Sequence, residues 1–262
     1  MTDITLLGFD DEAVEWDGQY ELVQCKRALS PSVMYPVRYS LNPYGGCEHG
    51  CVYCFAPAYT HSDPSRWRVV RVKTNVVDRL AKEIDSTEGM IGLGTVTDAY
   101  QAAEGKFMLS RMCLDIIRRK RRGVFITTKS PLVLRDLEIL KDMESIVAVS
   151  ITNPDPRICK MTEPGAPSTE ERLRTVRELV DSGVDACVFI APVMSSLEGK
   201  ESELAGMISD TGVRKVFVDP YRTRNTDVER LRRMGIGPSD RAVTAVRRAC
   251  ADAGLELISG EP

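Results

Sequence analysis

The sequence predicts an α/β protein with a mainly parallel β-sheet, and three observations lead to this fold class. Short apolar runs rich in β-branched residues alternate with stretches of helical period along most of the chain. Gly123, Gly183 and Gly254 stand where helices are expected to end. Strands and helices in alternation form right-handed βαβ units around a parallel sheet. About six such units are visible, too few for a closed eight-stranded barrel.

The elements can be assigned in chain order. The predicted strands are Val37–Leu41, Met90–Thr95, Val124–Thr128, Ile146–Ile151, Ala186–Ala191 and Lys215–Val218, with residues 255–258 as a further strand. The predicted helices are Val76–Asp85, Leu109–Arg121, Leu134–Met143, Thr169–Ser182, Glu201–Ser209 and Asp240–Ala253. Ser168 and Glu171 form a capping box before the fourth helix. Residues 1–36 are predicted to be an N-terminal extension that covers one domain of residues 37–262.

The composition is that of an ordinary globular protein. The 262 residues are 43% hydrophobic and 28% charged, which is enough to bury a sizeable core. Eight cysteines and no recognisable signal peptide lead us to expect a reducing, cytoplasmic environment without disulfides. No apolar run approaches the roughly 18 residues of a membrane span. The net charge of −3 argues against a surface coated with positive charge for non-specific nucleic-acid binding.

The stretch NPYGGCEHGCVYCF holds Cys47, Cys51 and Cys54 in CxxxCxxC spacing. Thiolates that lie this close together need a cation to stabilise them. Three protein ligands leave one coordination position open, as metal centres that perform chemistry do. Neighbouring glycines allow a tight backbone around the centre, and Tyr53 can place an aromatic face beside the open position. The alternative is zinc with His49 or His61 as fourth ligand, although such sites usually divide their ligands between two knuckles.

The longer segment NPYGGCEHGCVYCFAPAY resembles the cysteine motif of the radical S-adenosylmethionine (SAM) superfamily, and within it that of the branch that contains spore photoproduct lyase. The resemblance implies a [4Fe–4S] cluster on the three cysteines, with the fourth iron chelated by the amine and carboxylate of SAM. It also implies a partial (β/α)6-type open barrel. The reduced cluster would cleave SAM to a 5′-deoxyadenosyl radical that abstracts hydrogen from a substrate. An electron donor such as ferredoxin or flavodoxin would be required.

Two predicted strand ends resemble motifs of the same group and would bind the methionyl part of SAM. Ligand groups gather at the carboxyl ends of parallel strands. The segment TVTDAYQ resembles the relatives' TDPYQ and would place Thr97 and Asp98 beside the methionyl amine. TKS follows the third strand, and Lys129 would meet the methionyl carboxylate or a substrate anion.

Later strand ends would bind the nucleoside part. Ser150 and Thr152, after the fourth strand, would contact the ribose. The segment EPGAPS resembles a family motif, in which Glu163 would bind the ribose hydroxyls and Arg172 the methionyl carboxylate. These two residues could instead pair only with each other. The backbone near Val193 would read the adenine edge.

The substrate is left open by the sequence. A nucleic-acid base, a peptide and a small metabolite all remain, and Cys159 is the one thiol outside the motif considered as a hydrogen donor. Spore photoproduct lyase uses a cysteine donor where we would look near residues 95–98; threonines stand there in this chain, which argues against thymine-dimer repair. An iron–sulfur electron-transfer or regulatory protein without turnover is the alternative function. The retained strand-end motifs favour an enzyme.

Two groups of basic residues bear on the nucleic-acid hypothesis. The run at residues 118–122 falls at a predicted helix end, where cations complement the helix dipole and face water. A nucleic-acid substrate would instead require positive charge around the barrel mouth. The arginines that could converge there are Arg66, Arg68, Arg71, Arg222 and Arg224.

Overall fold

The computed structural model describes residues 12–34, 36–223 and 228–258. The β-strands in these ranges are β1 (Glu12–Trp16), β2 (Glu21–Gln24), β3 (Leu29–Pro31), β4 (Val37–Leu41), β5 (Tyr44–Gly45), β6 (Arg71–Lys73), β7 (Met90–Leu93), β8 (Val124–Thr128), β9 (Ser145–Ser150), β10 (Asp185–Val193), β11 (Lys215–Pro220) and β12 (Glu256–Leu257). The α-helices are α1 (Ala56–Tyr59), α2 (Val76–Glu83), α3 (Ala102–Phe107), α4 (Leu109–Arg119), α5 (Leu137–Leu140), α6 (Pro156–Thr162), α7 (Thr169–Asp181), α8 (Glu201–Ser209), α9 (Val228–Arg233) and α10 (Asp240–Asp252).

The main sheet has the strand order β12-β11-β10-β9-β8-β7-β4-β3 within the described ranges. In this sheet β4, β7, β8, β9, β10, β11 and β12 are all parallel to their neighbours, and β3 lies antiparallel to β4 at one edge. The edge strands β3 and β12 do not pair with each other, so the sheet stays open. The α/β class and the open partial barrel are therefore confirmed, and the further strand near residues 255–258 is present as β12.

Both faces of the main sheet are covered by apolar side chains, which explains why its strands are nearly continuous apolar runs. On the outer face, residues such as Ile126 and Val149 belong to the large core that includes the apolar sides of the helices. On the inner face, Phe125 and Phe189 both pack edge-to-face against Phe217. The inside of the partial barrel is thus filled by aromatic rings below the carboxyl ends of the strands.

A second, smaller sheet has the order β1-β2-β6-β5 in the described chain. β2 is parallel to β6, and β5 is antiparallel to β6. These strands have two to five residues and mixed polarity, so their pattern was too short to predict. Because β5 directly precedes the cysteine motif, this sheet fixes the entry of the motif. Residues 1–11 of the proposed N-terminal extension lie outside the described residues, and the proposed boundary at residue 36 stays a prediction.

The predicted helix at residues 134–143 is shorter than expected. A 3₁₀-helix, Pro131–Asp136, comes first and is capped by the Ser130 side chain; α5 follows it. The buried Asp136 carboxylate accepts hydrogen bonds from Tyr100 and Arg111, which fixes this turn in place. The predicted capping box of α7 is present. Within the described ranges, no helix is long and apolar enough to cross a membrane.

Candidate functional site

A cavity of about 960 Å³ opens at the carboxyl ends of β7 to β11. Its wall includes all three cysteines of the motif and five further residues that the sequence predicts as cofactor contacts. These eight residues are Cys47, Cys51, Tyr53, Cys54, Thr97, Asp98, Lys129 and Ser150. Residues from distant parts of the chain therefore meet in one concave site, as parallel α/β folds predict.

Backbone hydrogen bonds hold the cysteine loop, residues 46–55, against two neighbouring segments. The amide of Cys47 donates to the carbonyl of Trp67 at 2.8 Å, and the amide of Val52 donates to the carbonyl of Thr162 at 2.9 Å. Gly46 has φ of 78°, and a Cβ atom there would lie 2.6 Å from the Trp67 carbonyl oxygen. Glycine is required at this position for both its conformation and its close approach.

Side-chain amides from the TVTDAYQ region fasten the same loop. The buried Gln101 accepts from the amide of Glu48 at 2.9 Å and donates to the carbonyl of Gly46 at 3.2 Å. Asn42 bridges from the other side, because its amide group donates to Thr95 and accepts from the amide of Val96. Part of the resemblance in this region therefore reflects support of the loop.

The three thiols are in an environment that disfavours the thiolate form unless a cation is bound beside them. Burial raises the pKa of Cys51 to about 12, and it also raises the pKa values of Cys47 and Cys54. A positively charged centre bound to the sulfurs would reverse this effect and stabilise the thiolates. Among the residues that the structure describes, no three His, Cys, Asp or Glu side chains converge on a point that could hold one metal ion. In a cubane each cysteine binds a different iron, so the thiols need not converge. The donor set thus fits a [4Fe–4S] cluster.

Of the two histidines considered as a fourth zinc ligand, His49 lies in the cavity wall and His61 does not. His49 lines the cavity, and its Nδ1 lies 3.4 Å from the Asp98 carboxylate. Burial lowers the pKa of His49. His61 is exposed in the turn after α1 and is not part of the cavity wall.

The Asp98 carboxylate joins three parts of the site. One oxygen accepts from the Thr128 hydroxyl at 2.7 Å and the Tyr100 amide at 2.9 Å; the other accepts from the Lys129 amide at 2.7 Å. These bonds tie the segment after β7 to the end of β8, and His49 adds the cysteine loop. Asp98 therefore caps its own turn and joins neighbouring segments, beside the predicted contact with an ammonium group.

Within the part of the chain that the structure describes, the Thr97 hydroxyl and the Lys129 ammonium make no hydrogen bond or ion pair. The buried hydroxyl of Thr97 has no hydrogen-bond partner within the described residues. The Lys129 Nζ lies 5.8 Å from the centre of the Tyr53 ring, and the described residues provide it with no carboxylate or hydrogen-bond acceptor. Burial alone would lower the pKa of Lys129, but Cys51, Glu163 and Asp98 together keep it above its ordinary value. The site thus presents a hydroxyl and a cation to a ligand.

Glu163 and Arg172 form a buried ion pair behind the cavity wall. The Arg172 guanidinium also donates to the carbonyls of Pro167 at 2.9 Å and Ser150 at 3.1 Å. Glu163 accepts from the Tyr53 hydroxyl and, at 3.0 Å, from Thr152. Burial would raise the pKa of Glu163, but Arg172 and Lys129 outweigh it and hold the pKa below its ordinary value. The pair therefore orients Tyr53, and neither member belongs to the cavity wall.

Besides Glu163 and Arg172, three further predicted residues are not part of the cavity wall. Thr152 is turned toward Glu163, and Val193 is buried while its neighbours Ala191 and Pro192 form the wall. The Cys159 sulfur lies 3.2 Å from the Asn153 carbonyl oxygen, deep against α7. A role for Cys159 as hydrogen donor stays a prediction, and its contacts are those of a structural thiol.

Trp67 is a site residue that the sequence analysis missed. It is 5% exposed and packs with Cys47 and Cys54. Its indole Nε1–H is buried and has no hydrogen-bond partner among the described residues. Burial raises the pKa of Cys54, and the Ala56 amide, Lys129 and, least of the three, Trp67 oppose this rise. A lone tryptophan in a polar loop gives no sequence signal for such a contact.

The basic run at residues 118–122 is largely occupied by local partners. Arg118 pairs with Asp115 and Asp142, and Arg119 also pairs with Asp115. Lys120 pairs with Asp85. At the cavity mouth, Arg222 lines the wall and pairs with Asp219 at 2.9 Å. Arg224 lies outside the described residues.

Comparison with solved structures shows the fold. Spore photoproduct lyase complexed with dinucleoside spore photoproduct aligns with a TM-score of 0.69 at 17% identity, covering 90% of this chain and 81% of that chain. A mutant of the same enzyme with bound AdoMet and the dinucleoside aligns at 0.68 and 16% identity, over 88% and 79%. Streptococcus suis SuiB bound to its precursor peptide SuiA gives 0.52 at 15% identity, over 75% and 44%.

Comparison with other sequences shows the family. An uncharacterized protein of Methanocaldococcus jannaschii is 33% identical over 180 residues, which are 67% of this chain and 68% of that protein. An uncharacterized protein of Mycobacterium tuberculosis is 32% identical over 225 residues, which are 79% of this chain and 66% of that protein. The family model of the radical SAM superfamily matches residues 41–205. The chain therefore belongs to the radical SAM superfamily of enzymes.

Proposed function

We propose that this enzyme binds a [4Fe–4S] cluster through Cys47, Cys51 and Cys54 and cleaves SAM reductively. The observation that supports this most is the shared cavity, whose wall holds three thiols together with a cation and a hydroxyl that have no hydrogen-bond partner among the described residues. When bound, the reduced cluster supplies one electron to SAM, which breaks into methionine and a 5′-deoxyadenosyl radical that removes hydrogen from a substrate. An electron-transfer protein without turnover would have no use for this cavity, so the cavity favours an enzyme.

The chain's own groups would position SAM within this cavity. We assign the methionyl carboxylate to the Lys129 ammonium, because an ammonium and a carboxylate form a charge-assisted hydrogen bond. The methionyl amine would donate to Thr97 and to the remaining lone pairs of Asp98. Ser150 would face the ribose, and the backbone at residues 191–193 would face the adenine.

Glu163 and Arg172 would act through Tyr53. Their own hydrogen bonds run to each other, to Tyr53 and to backbone carbonyls, which favours the alternative that they pair with each other over direct contact with SAM. Burial, together with Cys51 and Glu163, raises the pKa of Tyr53 well above its ordinary value. Tyr53 would therefore remain a neutral donor to Glu163 while its ring supports the Lys129 ammonium through a cation–π contact.

The substrate is proposed only as a class. The cavity is also lined by apolar and aromatic residues, among them Met34, Phe55 and Phe189, and by the Arg222–Asp219 pair. Structural neighbours bind a dinucleoside in one case and a precursor peptide in another. A nucleic-acid base and a peptide or metabolite therefore both remain candidates for this chain.

Cluster content tests the first part of the proposal. After anaerobic reconstitution, the wild-type protein should contain about four iron and four sulfide per chain, as one cubane requires. A variant with alanine at Cys47, Cys51 and Cys54 should lose both, whereas Cys250→Ala should keep both because Cys250 packs in the distant core. One zinc per chain without visible absorbance in the wild type would contradict the proposal.

The assignment of the methionyl carboxylate is tested by comparing Lys129→Met with Arg172→Met. Loss of a hydrogen bond to a charged group should weaken SAM binding to Lys129→Met by about 1.5–3 kcal/mol, with little change in unfolding free energy. Arg172→Met leaves Glu163 buried without its partner and should destabilise the fold by about 3–5 kcal/mol. Calorimetric titration with SAM and denaturant unfolding measure the two effects.

Lys141→Met, an exposed change outside the cavity, serves as the control for this comparison. Wild-type SAM affinity in Lys129→Met, combined with weaker binding by a stably folded Arg172→Met, would reverse the assignment and give the carboxylate to Arg172.

The contact of Trp67 with Cys54 is tested by the reduction potential of the cluster. Trp67 packs against Cys54, and an N–H group that hydrogen-bonds to a cysteine sulfur of a bound cluster would stabilise the more negative, reduced state. Trp67→Phe keeps the ring but removes the donor, so the ratio of reduced to oxidised cluster at a fixed potential should fall by about tenfold, or ~59 mV. Potentiometric titration followed by EPR measures this shift. Trp16→Phe, on an exposed tryptophan, should keep the wild-type potential, and an equal potential in Trp67→Phe would remove this role.

A further inference from the structure

The connection from β9 to α7, residues 151–168, is joined to the cysteine loop by two backbone hydrogen bonds. The amide of Val52 donates to the carbonyl of Thr162, and the amide of Gly165 donates to the carbonyl of His49, both at 2.9 Å. The donor belongs to the loop in the first bond and to the connection in the second. The two segments are therefore fastened backbone to backbone at two separate points.

Gly165 lies closer to the loop than a residue with a side chain could. A Cβ atom added there would lie 2.3 Å from the carbonyl oxygen of Glu48 and 3.1 Å from that of His49. Both are backbone atoms, which cannot turn aside as the end of a flexible side chain can. The segment EPGAPS therefore needs its glycine, because the backbone of the cysteine loop occupies the place of a side chain.

A side-chain contact lies between the two backbone bonds. The Tyr53 hydroxyl donates to Glu163, which is itself held by its buried ion pair with Arg172. The three contacts join residues 162–165, which we call the clamp segment, to residues 49–53. They act on the part of the loop that contains the middle cysteine of the motif.

The clamp segment has a fixed base within the same connection. The carbonyl of Asn153 accepts from the Thr169 hydroxyl at 2.8 Å and from the Cys159 thiol at 3.2 Å. The amide of Glu163 donates to the carbonyl of Cys159 at 2.7 Å, and the amide of Ala166 donates to the carbonyl of Glu163 at 3.1 Å. The connection is thus closed on itself and can hold the loop in a defined position.

The contacts of the clamp segment are with the loop and not with the cavity. Ser150 lines the cavity, but within the described chain no residue of 151–168 does. His49, whose carbonyl accepts from Gly165, also places its Nδ1 3.4 Å from the Asp98 carboxylate. The clamp segment is therefore connected through the loop to the end of β7.

We propose that residues 162–165 are a positioning element that holds the cysteine loop in its binding shape before a cluster is present. The inference rests on the proposed function for the cluster that the loop receives. Ligands that neighbouring hydrogen bonds already hold in place lose less conformational freedom on binding. The clamp segment should therefore favour assembly and retention of the cluster, and one methyl group at Gly165 is enough to disturb it.

Hydrogen–deuterium exchange of the cluster-free protein tests the clamp segment directly. In the wild type, the amide of Val52 should be protected, because its partner is held by the clamp segment. In Gly165→Ala, the added methyl group must displace the backbone of residues 48–49, so the Val52 amide should exchange about tenfold faster. The amides of β10 should keep their wild-type rates, which distinguishes a local change from a general loss of stability.

Iron release from the reconstituted protein tests the consequence for the cluster. In excess chelator, Gly165→Ala should lose its iron about tenfold faster than the wild type. The EPR spectrum of its reduced cluster should also change, because the sulfur ligands are displaced. Tyr53→Phe removes only the contact with Glu163, which keeps its bond to Arg172. This milder variant should increase iron release and Val52 exchange in the same direction, but less.

Gly206→Ala is the matched control for the glycine substitution. Gly206 lies within α8, and an added Cβ atom there would meet nothing within 4 Å. Alanine is also favoured over glycine inside a helix. This variant should therefore keep the wild-type exchange of Val52, the wild-type iron release and the wild-type EPR spectrum.

The outcomes separate this inference from the proposed function. If the cluster assembles but Gly165→Ala behaves like Gly206→Ala in exchange, iron release and EPR, the clamp segment is wrong and the proposed function stands. Free exchange of Val52 in the cluster-free wild type overturns the clamp segment as well.

Two further outcomes are decided by the same measurements. If Gly165→Ala exchanges faster throughout β10, its whole fold is weakened, and Tyr53→Phe then decides: wild-type exchange and iron release in that variant overturn the clamp segment. If the wild type assembles no cluster, the proposed function fails, and Val52 exchange in Gly165→Ala still decides whether residues 162–165 hold the loop.

Discussion

The carboxylate of Asp98 is the interaction on which the geometry of the site depends. It accepts hydrogen bonds from the amides of Tyr100 and Lys129 and from the Thr128 hydroxyl, and His49 approaches it from the cysteine loop. The end of β7, the end of β8 and the loop that carries the thiols therefore meet at one buried charge. Without it, these backbone groups would be buried without partners, which is costly. The end of β7, the end of β8 and the cysteine loop would also lose the side chain that joins them.

Charge balance around the thiols follows from this arrangement. Three cysteines in a buried site remain protonated unless a cation is bound. Lys129 lines the cavity without a carboxylate partner among the described residues, Arg222 lines its mouth paired with Asp219, and Arg172 lies behind the wall in a pair with Glu163. Arg172 is thus satisfied by the protein, whereas Lys129 faces the cavity. This difference in partners is why we assign the ligand carboxylate to Lys129.

The sequence predicts the parts of the molecule that have strong periodicity or a fixed spacing. The strands of the parallel sheet, its open edge and the cysteine motif were all predictable, because buried parallel strands are continuous apolar runs and the thiols stand in a recognisable order. The second sheet was not, since strands such as β5 and β6 have two or three residues. Their pairing depends on contacts between distant segments. The 3₁₀-helix at Pro131–Asp136 likewise depends on long-range bonds to Asp136.

The site residues also fall into a group that the sequence could predict and a group that it could not. Thr97, Asp98, Lys129 and Ser150 line the cavity, because residues at the carboxyl ends of parallel strands lie at this edge of the sheet. The direction in which a side chain points could not be read from the sequence, and Thr152 and Arg172 turn toward Glu163 instead of the cavity. Trp67 and Gln101 act through contacts with the loop. Gln101 ends the TVTDAYQ segment, but that resemblance does not say which way its amide points, and Trp67 stands in no motif that we identified.

Product analysis of SAM cleavage tests the central claim most directly. The reconstituted protein is reduced with dithionite under anaerobic conditions and incubated with SAM, and the products are separated by chromatography. The account predicts 5′-deoxyadenosine and methionine in equal amounts, even without substrate, and neither product from protein that lacks the three cysteines of the motif. A protein that holds a complete, reducible cluster and binds SAM, yet forms no 5′-deoxyadenosine, would contradict it.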